Sequence, residues 1–162
     1  LRNQVLNGWR QIDVQLKRRH DLIPNLVNTV RGAMEFERDT LTQVMEARSR
    51  AVSATGPADA ARKEGELSQA LGRLFAVAEN YPTLRANENV KMLQEELAAT
   101  ENKVSFARQF YNDIATKYNI ARETFPSNLI AGSLGFTQAE LFEITDEAER
   151  QVPTVDLSMK KT

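Results

Sequence analysis

The sequence predicts an all-α protein: a four-helix up-and-down bundle with long antiparallel helices, followed by a short C-terminal helix and an extended tail. The first observation is an amphipathic run from Val90 to Phe125 that contains no proline or glycine. Its inward positions recur every three or four residues, which is the spacing of one helix face. These positions are Val90, Leu93, Leu97, Thr100, Val104, Ala107, Tyr111, Ile114, Tyr118, Ala121 and Phe125. The second observation is that three upstream segments repeat this spacing and can cover a rod of about 50 Å.

The first segment carries this spacing from the start of the chain and continues it through Pro24. Its apolar positions are Val5, Trp9, Ile12, Leu16, Ile23, Leu26 and Val30. Proline lacks a backbone N–H and clashes with the preceding turn, so we expect the helix to break or kink sharply at Pro24. Alternatively, Pro24 begins a second helix, for which Asp21 is a suitable cap.

The second segment resumes the pattern at Met34 and continues it to about Ala54. Its inward positions are Met34, Leu41, Val44 and Ala47. The breakers Thr55-Gly56-Pro57 then predict the end of this helix.

A third helix is predicted from about Ala58 to Glu79. Its inner face is formed by Leu67, Leu71, Leu74, Ala78 and Tyr81. Gly65 and Gly72 lie two turns apart, and each lowers helix propensity by about 1 kcal/mol relative to alanine. We therefore expect them to allow close approach of a neighbouring helix, with a dimer contact as the weaker alternative. Asn87 or Asn89 can cap the long fourth helix.

Beyond the long helix the composition changes, because residues 124–139 contain no charged side chain. Pro126, Gly132 and Gly135 disfavour a helix within that stretch. Thr137 and Glu140 then have the spacing of a capping box, which predicts a short helix near Gln138–Ile144. The polar residues after it predict an extended tail.

Length and composition favour one globular domain, here residues 1–145, with a tail over residues 146–162. The formal charge of −1 comes from acidic and basic residues mixed along the chain, which argues against a dedicated nucleic-acid surface. Cysteine is absent, so no disulfide framework or thiolate site is expected. No apolar run approaches the roughly 20 residues of a membrane span. Since the sequence begins at Leu1 inside an amphipathic pattern, we expect it to be part of a longer protein.

The residues predict neither an enzymatic site nor a cofactor. A di-iron bundle needs a Glu-x-x-His motif on each of two helices, whereas the sequence has a single histidine, His20. Glu95, Glu96 and Glu101 fit a solvated helix face better than a metal site. Triad-type catalysis lacks a nucleophile motif near His20, and no glycine-rich phosphate loop followed by lysine is present.

The basic cluster Lys17–His20 has three interpretations. Two or three of its side chains can face water. Arg19 lies on the inward stripe, so it can pair with an acid such as Glu101 and fix helix register. The third interpretation is attraction to anionic lipid headgroups, for which four adjacent basic residues are few.

A Tyr-Asn pair occurs twice, seven residues apart, as Tyr111-Asn112 and Tyr118-Asn119. One interpretation is core packing with the polar atoms hydrogen-bonded at the rim. The other is a polar groove that receives the backbone of a partner. The charge-free stretch is equally ambiguous, since it can plug the end of the bundle or form an apolar patch that binds a protein or a membrane surface.

Three stretches carry a family resemblance: NGWRQIDVQLKRRHDLIPNLVNTV, LSQALGRLFAVAENYPTLRANENVKMLQEELAATENKVSFARQFYNDIATKYN and FPSNLIAGSLGF. Together they resemble the bacterial LemA family from about Asn3 to Phe142. The resemblance implies an all-α fold like a four-helix up-and-down bundle, and a membrane-spanning or lipoprotein-type segment ahead of Leu1. It implies no established activity and no catalytic residue.

The resemblance points to signature positions rather than to an active site. With the apolar residues beside them, they form the predicted interaction set: Tyr111, Asn112, Tyr118, Asn119, Phe125, Pro126, Asn128, Leu129, Ile130 and Phe136.

The resulting hypothesis is a non-enzymatic, membrane-anchored helical scaffold or interaction module of the bacterial envelope or an internal membrane. Its expected partners are the membrane, reached through the preceding segment, and an unidentified protein; a homo-oligomer is a further alternative, and nucleic acid is not expected. Two other functions stay open, since some LemA relatives are associated with magnetosome membrane formation and others with membrane proteases. They are a membrane-remodelling or organelle-biogenesis factor and an accessory factor of a membrane protease.

Overall fold

The computed structural model describes residues 1–124 and 138–143. Within them it is all helical, as predicted. The helices are α1 (Arg2–Val30), α2 (Arg38–Val52), α3 (Pro57–Ala78), the single turn α4 (Pro82–Arg85) and α5 (Glu88–Glu123). The predicted tail and most of the charge-free stretch lie outside the described residues.

Helix α1 runs without a break through Pro24, so the predicted break there is wrong. A proline at position 24 cannot donate the helical hydrogen bond to the carbonyl four residues earlier, which belongs to His20. Arg48 of α2 supplies the missing donor, because its Nε atom lies 2.7 Å from that carbonyl oxygen. A side chain from a neighbouring helix thus satisfies the carbonyl that Pro24 leaves free.

The helices alternate in direction, as an up-and-down bundle requires. Gly8 near the start of α1 lies against Tyr111 near the end of α5, and Val30 and Val90 share a hydrophobic cluster at the other end, so α1 and α5 are antiparallel. Helices α2 and α3 form a second pair, joined at a turn where Gly56 adopts a φ of 84°. These four helices form the predicted bundle.

The long helix begins where its cap was predicted. The Asn87 side chain accepts hydrogen bonds from the backbone N–H groups of Asn89 and Val90, which no intrahelical carbonyl can satisfy. The predicted stripe is buried at Val104 and half-buried at Tyr118. The periodicity therefore identified the packed face of α5.

Most of the core is a cluster shared by the four long helices, here called the four-helix cluster. Its members at 0% exposure are Ile23, Leu26, Val30, Met34, Val44, Leu67, Leu71, Leu74, Ala78, Val90 and Leu97. A second cluster, here called the groove cluster, lies between the first half of α1, the start of α3 and the second half of α5. Its buried members are Val5, Ile12, Leu16, Ala60, Val104, Tyr111, Ile114, Ala115 and Phe142.

A buried polar layer separates the two clusters. It consists of Arg19 and His20 of α1, Glu64 of α3 and Thr100 of α5. Arg19 is only 3% exposed; its Nη2 donates to Ser68 Oγ at 2.7 Å and to the Glu64 carbonyl at 3.3 Å. The Glu64 carboxylate lies 3.7 Å from Arg19 Nε and also binds His20 Nε2.

The layer bears on two of the three interpretations of the basic cluster, and attraction to anionic lipid headgroups stays a prediction. Lys17 and Arg18 face water, whereas Arg19 is buried with an acid. The acid that lies closest is Glu64, and Glu101, the acid given as an example from the sequence, adds a second favourable charge. Burial lowers the pKa of Arg19, and both carboxylates act against this effect. Because only one helix register pairs these groups, the layer aligns α1 with α3.

The close approach predicted at Gly65 is wrong. Among the residues that the structure describes, a Cβ atom at this position would meet nothing within 4 Å, so none of the described helices requires the glycine. Gly72 is buried in α3.

Within residues 1–124 and 138–143, no helix is both long and apolar enough to cross a membrane.

Candidate functional site

The second half of α5 holds residues 138–143, here called the clasp segment, against its side. Asn119 donates to the Ala139 carbonyl at 3.0 Å and accepts from the Ala139 N–H at 2.8 Å. Asn112 does the same at Phe142, with distances of 3.3 Å to the carbonyl and 2.9 Å from the N–H. Each asparagine amide therefore pairs with both backbone groups of one residue, as a neighbouring strand would.

The spacing of the two asparagines explains why both can bind one segment. Seven residues of helix rise about 10.5 Å. Three residues of extended chain span about 10 Å. Asn112 and Asn119 thus match the distance between Phe142 and Ala139, and the segment runs antiparallel to α5. The spacing of Asn112 and Asn119 along the helix therefore matches a three-residue step of an extended chain.

A tyrosine and an aromatic socket strengthen the attachment between the two asparagine pairs. The Tyr111 hydroxyl donates to the Glu140 carbonyl at 2.7 Å. The Phe142 ring is 4% exposed, and its centroid lies 5.9 Å from the centroid of the Trp9 ring. Arg108 places its guanidinium 5.8 Å from the Phe142 centroid, within cation–π range. Trp9 also contacts the Tyr111 ring, so one aromatic group joins α1, α5 and the clasp segment.

The clasp segment also reaches the start of α3. Glu140 Oε1 accepts from the Ala58 N–H at 3.0 Å, one of the amides that a helix leaves unpaired in its first turn. A Cβ added at Gly56 would lie 2.9 Å from Glu140 Oε2, so the bare glycine leaves room for the carboxylate. The segment therefore touches the three helices that enclose the groove cluster.

The short helix predicted near Gln138–Ile144 is wrong over residues 138–143, which are not helical. The physical reason is the set of competing hydrogen bonds. The backbone groups of Ala139 and Phe142 bind asparagine side chains, and Glu140 binds the start of α3 instead of capping its own helix. Residues beyond 143 lie outside the described part of the chain.

Burial has the largest effect on the ionisation of Tyr111, the tyrosine that binds the clasp segment. It raises the pKa of the Tyr111 hydroxyl, and the negative charge of Glu140 raises it further. Tyr111 therefore stays protonated and remains a donor to the carbonyl that it binds. The chemistry of the site is recognition: amide, hydroxyl and aromatic groups fix a backbone in place.

The structure brings together part of the predicted interaction set. Tyr111, Asn112 and Asn119 bind the clasp segment directly, and Tyr118 packs half-buried against the groove cluster. The remaining predicted positions lie outside the described residues: Phe125, Pro126, Asn128, Leu129, Ile130 and Phe136. Binding of a partner by any of these residues stays a prediction.

Sequence reasoning missed half of the groove, namely Trp9, Arg108, Glu140 and Phe142. Trp9 and Phe142 were visible as apolar residues, but no pattern joins positions so far apart in the chain. Within the described residues, no group of three His, Cys, Asp or Glu side chains converges to hold a metal ion.

Comparison with known proteins gives one family and several bacterial relatives. Magnetosome protein MamQ 2 of Paramagnetospirillum magneticum is 27% identical over 90% of this chain and 63% of its own length. Protein LemA of Metamycoplasma hominis is 26% identical over 96% of this chain and 71% of its own length. Magnetosome protein MamQ of Magnetospirillum gryphiswaldense is 26% identical over 80% of this chain and 57% of its own length.

The chain thus spans less than two thirds of the length of the MamQ relatives that it matches. The sequence model of the LemA family matches residues 8–157, which include every helix described above except the first turns of α1. The chain therefore belongs to the LemA family.

Proposed function

We propose that the protein is a membrane-tethered helical scaffold whose groove, lined by Tyr111, Asn112 and Asn119, binds protein backbone. The observation that carries this proposal is the double pairing of Asn112 and Asn119 with the N–H and C=O groups of an extended segment. Backbone pairing of this kind is how proteins recognise extended peptides by strand addition. It supplies affinity without a reactive group.

The bundle around the groove has the rigidity that a scaffold needs. Helix α5 has 36 residues, a length of about 54 Å. The polar layer fixes the register of α1 against α3 below the groove, since displacement would leave Arg19 and Glu64 buried without each other. The groove is therefore built on helices whose relative positions are determined elsewhere in the fold.

The membrane part of the proposal has a different basis. The family match and the bacterial relatives support a LemA-type membrane-associated protein. The scaffold role is a more specific proposal than membrane association, and it depends on the groove.

Pull-down from membranes of the native bacterium tests this function. The chain Leu1–Thr162 serves as bait at low and at physiological salt, beside an Asn112→Ala/Asn119→Ala variant. We expect the natural sequence to retain a specific protein that the double variant loses. Asn102→Ala, an exposed asparagine on the same helix, serves as the matched control and should retain it. Recovery of no specific protein or lipid at either salt concentration would contradict the proposal.

A second function is favoured by the magnetosome proteins among the relatives. Under it, the full-length protein clusters on a membrane and helps to define an internal compartment. Deletion of the gene should then change membrane morphology in electron micrographs, and complementation should restore it. Normal morphology in the deletion strain would eliminate this function.

A further inference from the structure

The clasp segment occupies its groove through contacts that a segment of another chain could make equally well. We propose that the groove accepts residues 138–143 of a second copy, so that two chains associate by exchanging this segment. The inference rests on the proposed scaffold function for its membrane setting. The groove and its occupant, however, are both described by the structure.

The polar contacts described for the segment join it to helices that are distant in the sequence. Four hydrogen bonds come from Asn112 and Asn119, and a fifth comes from Tyr111. Asn112 lies 30 residues from Phe142 and Asn119 lies 20 residues from Ala139, so none of the bonds depends on local chain geometry. The same segment from a second chain would satisfy all five.

The groove also determines which second chain fits. The asparagine amides bind only backbone groups of the segment, whereas the two ends of the groove bind its side chains. The Ala58 N–H takes a carboxylate at position 140, and Trp9 with Arg108 takes an aromatic ring at position 142. The required occupant is thus an extended segment with glutamate two residues before phenylalanine. Residues 138–143 of the protein itself satisfy this requirement, and we therefore assign the occupant to a second copy.

The local protein concentration sets the balance between the closed monomer and the exchanged pair. Exchange keeps every contact of the segment, so the equilibrium depends mainly on local concentration. Covalent linkage presents the segment of the same chain to the groove at an effective concentration of about 1 mM. Tethering to a membrane crowds copies together and shifts this competition towards exchange. Dilute protein should be monomeric, and crowded protein should associate.

Two complementary variants of the chain test exchange directly. Asn112→Ala/Asn119→Ala disables the groove but leaves an intact segment, whereas Glu140→Ala/Phe142→Ala disables the segment but leaves an intact groove. Sedimentation velocity measures each variant alone and an equimolar mixture, up to about 1 mM protein, the range of intramolecular effective concentrations. Circular dichroism checks that both variants keep their helix content.

We expect each variant alone to sediment as a monomer of 18.3 kDa and the mixture to contain a 1:1 complex of twice that mass. The mixture should also shift the fluorescence of Trp9, the single tryptophan, because a Phe142 ring returns to it. Absence of a complex in the mixture of two folded variants would overturn the proposal.

A peptide experiment keeps the proposal falsifiable if a variant of the asparagines fails to fold. A synthetic peptide of residues 138–143, QAELFE, is titrated into the Glu140→Ala/Phe142→Ala chain while Trp9 fluorescence is recorded. Saturable binding, weakened at least tenfold when the peptide carries alanine at the phenylalanine position, supports exchange. No binding up to several millimolar would overturn it. Neither result depends on a membrane partner, so failure here is distinct from failure of the pull-down.

Discussion

The two ends of the bundle cover their hydrophobic core with different elements. At one end, α2 lies beside α1 and α3 and completes the four-helix cluster. At the other end, α2 contributes no residue to the groove cluster among those that the structure describes, and the clasp segment supplies Phe142 instead. A helix satisfies its own backbone, whereas an extended segment must find partners for its N–H and C=O groups. Asn112, Asn119 and Tyr111 are those partners.

The comparison shows how an irregular segment becomes part of a helical fold. The four-helix cluster is sealed by aliphatic side chains, and its stability comes from burial. The groove cluster also buries aliphatic side chains, but the attachment of the clasp segment to it depends on a few directional hydrogen bonds and on the ring of Phe142. Exposed apolar side chains do not distinguish the two ends, since Phe36 beside the four-helix cluster is 92% exposed and Phe106 on α5 is 86% exposed. The exchange proposed above therefore depends on the directional contacts of the clasp segment.

The largest expected effect is at the polar layer between the two ends. Glu64→Ala leaves the buried Arg19 without its ion pair and removes the partner of His20, so the free energy of unfolding should fall by about 3–5 kcal/mol. Urea denaturation measures this loss. Glu66→Ala is the matched control on the same helix: its ion pair with Arg50 is about half exposed, and its loss should cost at most about 1 kcal/mol. Equal effects of the two substitutions would contradict a layer that holds the ends in register.

The next effect tests how α2 supports the four-helix end. Arg48→Ala leaves the His20 carbonyl without a donor and should cost about 1–3 kcal/mol. In a Pro24→Ala background the backbone N–H of residue 24 can take over that bond, so the same substitution should cost much less. A double-mutant cycle by urea unfolding gives the coupling energy. Full additivity would show that Arg48 does not compensate for the proline.

Features that depend on local spacing could be predicted from the sequence, whereas features that depend on distant residues could not. The stripe on α5 was predictable because helix periodicity is local, and the Asn87 cap was predictable for the same reason. The break at Pro24 was predicted wrongly because the donor that compensates for the proline, Arg48, lies 24 residues away on another helix. The groove was half predicted: the Tyr-Asn repeat marked one wall, but nothing in the spacing indicated that residues 139 and 142 return to meet it. Long-range pairing of backbone with side chains has no periodic signature.

A smaller effect, confined to the groove end, depends on pH. Burial favours the protonated form of Tyr111, so its contribution is complete below its unfolded pKa of about 10 and is lost as the pH rises through the higher folded pKa. We expect alkaline titration to release the clasp segment, followed by Trp9 fluorescence, with a loss of about 1 kcal/mol for the broken bond. Tyr81, whose pKa is also raised, lies at the four-helix end and is not near Trp9. A Tyr111→Phe variant should lack the fluorescence transition, and an identical transition in that variant would contradict the assignment.

The smallest effect should be a gain in stability. Gly65→Ala places a methyl group where none of the described residues lies within 4 Å, and it removes a glycine from the interior of α3. The free energy of unfolding should rise by about 0.5–1 kcal/mol. Gly56→Ala is the contrasting variant at the groove end, because its φ of 84° and ψ of 169° are open almost only to glycine, and it should cost about 1–3 kcal/mol. Thermal unfolding of both variants distinguishes the two glycines. A fall in the stability of Gly65→Ala would instead support the close helix contact that the sequence predicted at this position.

The central claim is that two asparagine side chains hold an extended segment at the groove end. Hydrogen exchange at the Ala139 and Phe142 amides tests it most directly, since each amide donates to one of these asparagines. We predict that both amides are protected in the natural sequence and lose that protection in Asn112→Ala/Asn119→Ala, while the Leu71 amide in the four-helix cluster keeps its own. Exchange of Ala139 and Phe142 at the rate of an unstructured peptide in the natural sequence would contradict the account.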